Sequence, residues 1–288
     1  MKPALMFTAH VVVIATLAAT AAAATRHLAT APAPAAPSET DWRTPDPANV
    51  LVIDTTKGRV IVELAPLVAP KSAVQVRELA RAGFYDGRAF FRVIDGFMDQ
   101  TGDPTDTGQG GSTRPNLPGE FTFRRDAATP MTVADKQGGR ESGFIDATPV
   151  ISQSLDLAML TADHKVSAWA TFCPGVVGMA RAEDPDSGNS QFFLMREAQT
   201  SLDQKYTAVG RVIAGLDVVR AIKIGEPPAA PDKMLTVRVL ADMPAAQRPS
   251  VRVIDPRGPW FTAMTARVRA EKLIGLSMCD LDLPSQVK

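Results

Sequence analysis

The chain has 288 residues, 45% of them hydrophobic and 22% charged, the composition of an ordinary globular protein with room for one large domain or two small ones. Lys plus Arg and Asp plus Glu each number 31, so no charge excess marks a nucleic-acid partner, and RRD at Arg124 to Asp126 is too short to make one. The three histidines, His10, His27 and His164, are too few and too scattered for a multi-His metal site or a His-based hydrolytic triad, so neither metal nor cofactor is expected.

The chain opens on Met1-Lys2 and then runs without charge from Ala4 to Ala24, ending in small residues with A-x-A cleavage options. This pattern predicts a signal peptide over residues 1–24 and a periplasmic or secreted mature protein. An uncleaved signal anchor is the competing reading, although the alanines of its second half make the run weakly hydrophobic for a bilayer span. No stable membrane insertion is expected after cleavage. Residues 25–48, with APAPAAPSET and then TPDPA, hold few bulky apolar side chains and predict a semi-extended Pro/Ala-rich linker.

Val50 to Thr55 and Arg59 to Leu64, separated by Thr56-Lys57-Gly58, read as a hairpin. Pro70 in a first turn, Val76, Leu79 and Ala80 on one face and Gly83 as a terminator predict a helix. Short strands follow at 89–94, 97–101, 176–182, 191–195, 208–212 and 235–242, with a second helix at 216–223. Many short strands and two helices predict a mainly β architecture, an antiparallel barrel with helical covers. Residues 122–174 break this rhythm: KQGGRESG is punctuated by glycine and SQSLDLAML is more helical, which together read as a long inserted loop. After Met243 comes a C-terminal extension, 244–288, with a helix expected from Phe261 to Ile274. The two cysteines, Cys173 and Cys279, either bridge in an oxidising compartment or remain two buried thiols.

Three separated blocks carry a resemblance: FFRVIDGFMDQTGDPTDTGQGG (Phe90 to Gly111), GVVGMARAEDPDSGNSQFFLM (Gly175 to Met195) and SLDQKYTAVGRVIAGLDVV (Ser201 to Val219). In this order they resemble the cyclophilin-type peptidyl-prolyl cis/trans isomerases, and the DPDSGNSQFF loop looks more like bacterial members. The resemblance spans residues 49–243 with the insertion excepted. It implies a closed eight-stranded antiparallel barrel capped by two helices, with peptide bound in an outer groove.

Residue by residue, the resemblance implies that Arg92 is catalytic, that Phe97, Met98, Phe193 and Leu202 form a proline pocket, and that Gln100 and Gln191 flank it. Ala180, Arg181 and Ala182 fall on the edge beside the substrate backbone, and Tyr206 stands where many members have His. Ser201 stands where many have Trp, which implies a more open pocket and weak binding of cyclosporin-like cyclic peptides. The implied partners are proline-containing polypeptides, served by a monomer.

These residue types suit the chemistry. Rotation about an X-Pro bond crosses roughly 18–20 kcal/mol because the nitrogen lone pair is conjugated with the carbonyl. No nucleophile is needed, only a site that binds the twisted amide better than either planar form. In the twisted state the prolyl nitrogen becomes basic, and an always-protonated guanidinium can donate to it. The rival reading is a proline-segment binding module or holdase with little catalysis; Ser201 and the insertion favour it, and Arg92 beside Phe97, Met98, Gln100 and Phe193 favours the enzyme.

Overall fold

A computed structural model describes residues 35–272 and 275–288. The expected signal peptide, the first part of the expected linker and Ile274 lie outside the described residues. The strands in chain order are β1 (Trp42–Arg43), β2 (Val50–Thr55), β3 (Gly58–Leu64), β4 (Arg92–Ile94), β5 (Met98–Thr101), β6 (Phe123–Arg125), β7 (Thr132–Gln137), β8 (Arg140–Ile145), β9 (Thr148–Gln153), β10 (Val166–Ala170), β11 (Val176–Met179), β12 (Phe192–Met195), β13 (Ala208–Ala214), β14 (Met234–Val239), β15 (Val251–Ile254) and β16 (Ser285–Val287). The α-helices are α1 (Pro70–Arg81), α2 (Leu216–Ala221) and α3 (Pro259–Glu271).

Eight strands form one antiparallel sheet in the order β14-β2-β3-β13-β11-β12-β5-β4. Its end strands share no continuous ladder; isolated bridges, Ala89 to Lys233 and Val93 to Gly225, link the two edges. The expected eight-stranded antiparallel sheet and its two helices are therefore present. The chain is apolar at every position from Val50 to Ile53 because both faces of β2 are covered. Leu51 and Ile53 point into a core shared with Val76 and Leu79 of α1 and Val219 of α2, whereas Val50 and Val52 join a second core.

That second core contains Phe144, Ala168, Val253 and Phe261, so the insertion and the extension both pack on the outer face of the eight-stranded sheet. The expectation of an inserted loop is corrected: residues 123–170 carry a five-stranded antiparallel sheet, ordered β6-β10-β9-β8-β7. The glycines of KQGG are hairpin turn residues. Gly138 and Gly139, at φ 59° and 73°, join Gln137 to its partner Arg140 in the two-residue geometry that positive φ permits. The more helical piece is a 3-10 helix, Leu155–Leu160, whose first turn is capped by the Ser154 hydroxyl.

The expected linker is corrected over its described part as well. From Glu39 onward it is built in: a 3-10 turn leads into β1, which pairs with β15, and Arg43 forms a bidentate ion pair with the buried Glu63 at 2.7 and 2.6 Å. Polar side chains tie this segment down, and its few apolar residues give no sign of that in the sequence. The extension contributes β15, β16 and α3, and a disulfide joins Cys173 to Cys279 across 106 residues. Of the two readings left open for the cysteines, the bridge holds.

Candidate active site

The sheet register places the site. Arg92 on β4 lies opposite Gln100 on β5, Gln100 lies opposite Phe193 on β12, and Phe193 lies opposite Gly178 on β11. One row of cross-strand partners thus carries a cation, an amide and a ring on a single face. Met98, two residues before Gln100, shares that face by the alternation of the strand. The residue at 178 is glycine because a Cβ there would collide with the Phe193 ring.

Phe193 is 5% exposed and Met98 2%. Phe193 stacks on Phe172 at 6.0 Å between centroids and meets Tyr206 edge-on at 5.8 Å. Tyr206 is brought there by the 3-10 turn Thr200–Leu202, whose Leu202 carbonyl accepts from the Tyr206 N–H. The Asp203 carboxylate then accepts from the Phe172 N–H at 2.9 Å and fixes this wall to the aromatic stack.

A chain of amides runs along the polar side. Arg92 Nη1 donates to Gln100 Oε1 at 3.3 Å, Gln100 Nε2 to Gln191 Oε1 at 2.9 Å, and Gln191 Nε2 to the carbonyls of Gly108 and Gly110. The glycine loop that ends the chain is organised by the buried Asp103, which accepts from the N–H groups of Thr105, Thr107, Gly108 and Gly110. Burial pushes the Asp103 carboxyl up, but these donors together hold it below the usual carboxylate range.

The result is a cavity of about 210 Å³ lined by Arg92, Phe97, Met98, Gln100, Ala180, Arg181, Phe193, Leu202 and Tyr206. Gln100, Ala180 and Arg181 also border a neighbouring cleft of about 510 Å³, where Ala182 and Gln191 lie. Every site residue expected from the sequence therefore lines one of two adjoining spaces. Ser201 is exposed and lines neither.

Details of the edge differ from expectation. The strand expected to run to Ala182 ends at Met179: the Ala180 N–H still reaches the Gln191 carbonyl beside β12, but the Ala182 N–H turns to the Ser187 hydroxyl. The Arg181 side chain is a brace. Its guanidinium lies 4.7 Å from the Tyr206 ring centroid and 5.7 Å from that of Phe121, and donates to the carbonyls of Lys205, Ala182 and Glu183.

Two partners of the site were not found from sequence. Glu226 accepts from Arg92 Nε at 2.7 Å, a pairing across 134 residues that no local pattern announces. Behind the site, the fully buried Asp99 accepts from Arg196 Nη1 at 3.0 Å, while its second oxygen has no hydrogen-bond partner among the described residues. Burial outweighs Arg196 and pushes the Asp99 carboxyl up to about 7. Arg196 also donates to the carbonyls of Val219, Arg220 and Ile222 at the end of α2, so this polar cluster ties the back of β5 to that helix.

The family model for cyclophilin type peptidyl-prolyl cis-trans isomerase/CLD matches residues 50–239. The chain belongs to the cyclophilin family. A probable peptidyl-prolyl cis-trans isomerase of Brucella suis is 33% identical over 213 residues, covering 68% of this chain and 85% of its own. Peptidyl-prolyl cis-trans isomerase-like 1 of Mus musculus is 31% identical, with 69% and 93% covered. The crystal structure of the cyclophilin AquaCyp293 from Hirschia baltica superimposes with a TM-score of 0.79 at 39% identity, covering 85% of this chain and 93% of its own. The cyclophilin resemblance thus reaches beyond residues 50–239 into the added segments, and the chain is a peptidyl-prolyl cis-trans isomerase.

Proposed function

We propose that this cyclophilin accelerates X-Pro rotation in exported polypeptides, with Arg92 as its catalytic residue. The observation that carries the reading is the convergence of one guanidinium, its Gln100 partner and an aromatic cup on a single cavity. The cup of Phe97, Met98, Phe193 and Leu202 holds the pyrrolidine ring while the acyl part of the peptide turns. As the amide twists, Arg92 Nη2, which has no partner among the described residues, donates to the prolyl nitrogen. That contact exists only near the transition state, so it raises turnover and not merely affinity.

The substrate backbone lies along Ala180 to Ala182. The N–H groups of Ala180 and Ala182 are already used, and in an extended segment the main-chain groups of Arg181 face the opposite way, toward the peptide. On the same reading the eight-stranded sheet is a closed barrel, its seam made by the bridges at Ala89 and Val93, and the chain works as a monomer.

Export is supported by the leader-like start of the sequence and by the disulfide, which suits an oxidising compartment. The intact mass of protein taken from the periplasmic fraction tests it: loss of about 24 residues is expected, and a full-length chain in the membrane fraction contradicts cleavage.

A second reading, a holdase that grips proline-containing segments with little catalysis, is favoured by Ser201, which leaves one side of the pocket without an aromatic wall. Isomerisation of a short Ala-Pro-Phe peptide separates the two. Wild-type rates equal to the uncatalysed reaction would leave only the holdase; a clear acceleration lost in Arg92→Ala supports the enzyme.

A further inference from the structure

We infer that Glu226 is a positioning residue for catalysis: its carboxylate fixes the Arg92 guanidinium in the orientation that meets the prolyl nitrogen. This rests on the assignment of Arg92 above. Arg92 stands on the rim of the cavity with 40% of its side chain exposed, and a free arginine on a groove edge samples many rotamers. Here it is gripped at two points. Nε donates to Glu226 Oε2 at 2.7 Å and Nη1 to Gln100 Oε1 at 3.3 Å, which orients the planar fork and leaves Nη2 for the substrate.

Glu226 can act in this way because its own backbone is fixed to the strand that carries Arg92. Gly225 and Val93 exchange both hydrogen bonds, N–H to carbonyl at 2.8 and 2.9 Å, which places residue 226 beside residue 92. The far end of the same loop is held by Asp232, which accepts from the Lys223 N–H and the Thr56 hydroxyl and whose carbonyl accepts from the Phe90 N–H. The carboxylate therefore comes from a pinned loop and not from a mobile arm.

Two effects of Glu226 oppose each other. It orders the guanidinium before substrate arrives, which favours the transition state. It also offsets part of the positive charge that the prolyl nitrogen is to feel. Its side chain is 52% exposed, so water weakens the second effect more than the first, and orientation wins.

The test is kcat/KM for an uncharged Ala-Pro peptide in wild type, Arg92→Ala, Glu226→Ala, Glu226→Gln, Arg92→Lys and Arg92→Lys with Glu226→Ala, with melting temperatures measured on the same samples. Removing Glu226 is expected to lower kcat about tenfold with KM and melting temperature nearly unchanged. Glu226→Gln, which keeps an acceptor, recovers part of the loss. In the Arg92→Lys background, which has no Nε–H to orient, removing Glu226 changes little. Raising the salt concentration slows the wild type toward Glu226→Ala and leaves the variant flat. Equal or faster turnover in Glu226→Ala, or the same loss in the Arg92→Lys background, overturns the inference. Failure of the underlying reading looks different: Arg92→Ala would then keep full activity.

Discussion

The eight-stranded sheet and the inserted five-stranded sheet are both antiparallel and share an apolar core, but they differ in how far that core alone holds them. In the first, β2, β12 and β13 are almost wholly buried, and their apolar side chains fill cores on both faces. In the second, β8, β9 and β10 bury Phe144, Ile145, Val150, Ala168 and Ala170 in one of those cores, but the edge strand β7 is half exposed along its length, and a few strong ties add to the apolar packing. Arg125 and Glu141 form a buried ion pair at 2.6 Å with Ser152 alongside, and Lys136 reaches the same carboxylate at 2.8 Å. Phe144 meets Phe261 of α3 edge-on at 5.5 Å, and the Cys173–Cys279 bridge ties β10's exit to the extension. The lesson is a division of labour. The eight-stranded sheet supplies the rigid row on which the groove is built, while the added segments pack an apolar layer on its outer face and reinforce it with discrete polar and covalent links.

The disulfide should show that division most strongly. Replacing both cysteines by serine opens a loop of 106 residues and, by chain entropy, is expected to lower the unfolding free energy by about 4–5 kcal/mol in denaturant titration. Turnover of the protein that remains folded should change little. A catalytic collapse with intact stability would mean that the bridge serves the pocket, through Phe172 and Phe193, and not the added sheet.

Next comes the ion pair. Arg125→Ala leaves Glu141 buried with only Lys136, and about 3 kcal/mol of stability should be lost without effect on peptide isomerisation. Equal stability of variant and wild type would show that the inserted sheet does not depend on this tie.

Asp99 sharpens the comparison from the side of the eight-stranded sheet, since it is a polar group buried where apolar packing dominates. Its carboxyl is raised in the folded state, so its contribution to stability is full below the unfolded value near pH 4 and is lost as pH rises through about 7. The melting temperature of wild type minus that of Asp99→Asn should fall between pH 4 and 7 and then level off. A difference that grows over this range would mean that Arg196 holds the carboxylate ionised.

The smallest effect is expected at Ser201. Wild type should bind a cyclosporin-like cyclic peptide weakly, and Ser201→Trp should tighten that binding by about 1 kcal/mol, as one buried aromatic contact allows. Submicromolar affinity of the wild type in a titration contradicts the open-sided pocket.

How much of this could be read in the sequence follows the same division. Arg92, Gln100 and Phe193 were legible through the resemblance that the signature blocks carry; alternation alone puts Met98 and Gln100 on one face, and the register that lines up the row is set by the folded sheet. The inserted sheet was not, because Thr132–Gln137 lacks a clean apolar alternation and Gly138-Gly139 signals a turn without saying what it joins. The built-in segment at Trp42–Arg43 depends on a pairing with Glu63, and Glu226 reaches Arg92 from 134 residues away. Such ties are made by tertiary geometry, and neither composition nor periodicity carries them. The cysteine pair lay between these cases: its possibility was plain in the sequence, and its geometry was not.

The central claim, that catalysis resides in the Arg92 row, is tested most directly by the rate of Ala-Pro-Phe peptide isomerisation in wild type and Arg92→Ala, with melting temperature read in parallel. We expect a clear wild-type acceleration, a loss of about 100-fold in kcat/KM for the variant, equivalent to about 2.7 kcal/mol of transition-state stabilisation, and an unchanged melting temperature. A variant that turns over as fast as the wild type, or a wild type no faster than the uncatalysed reaction, would contradict it.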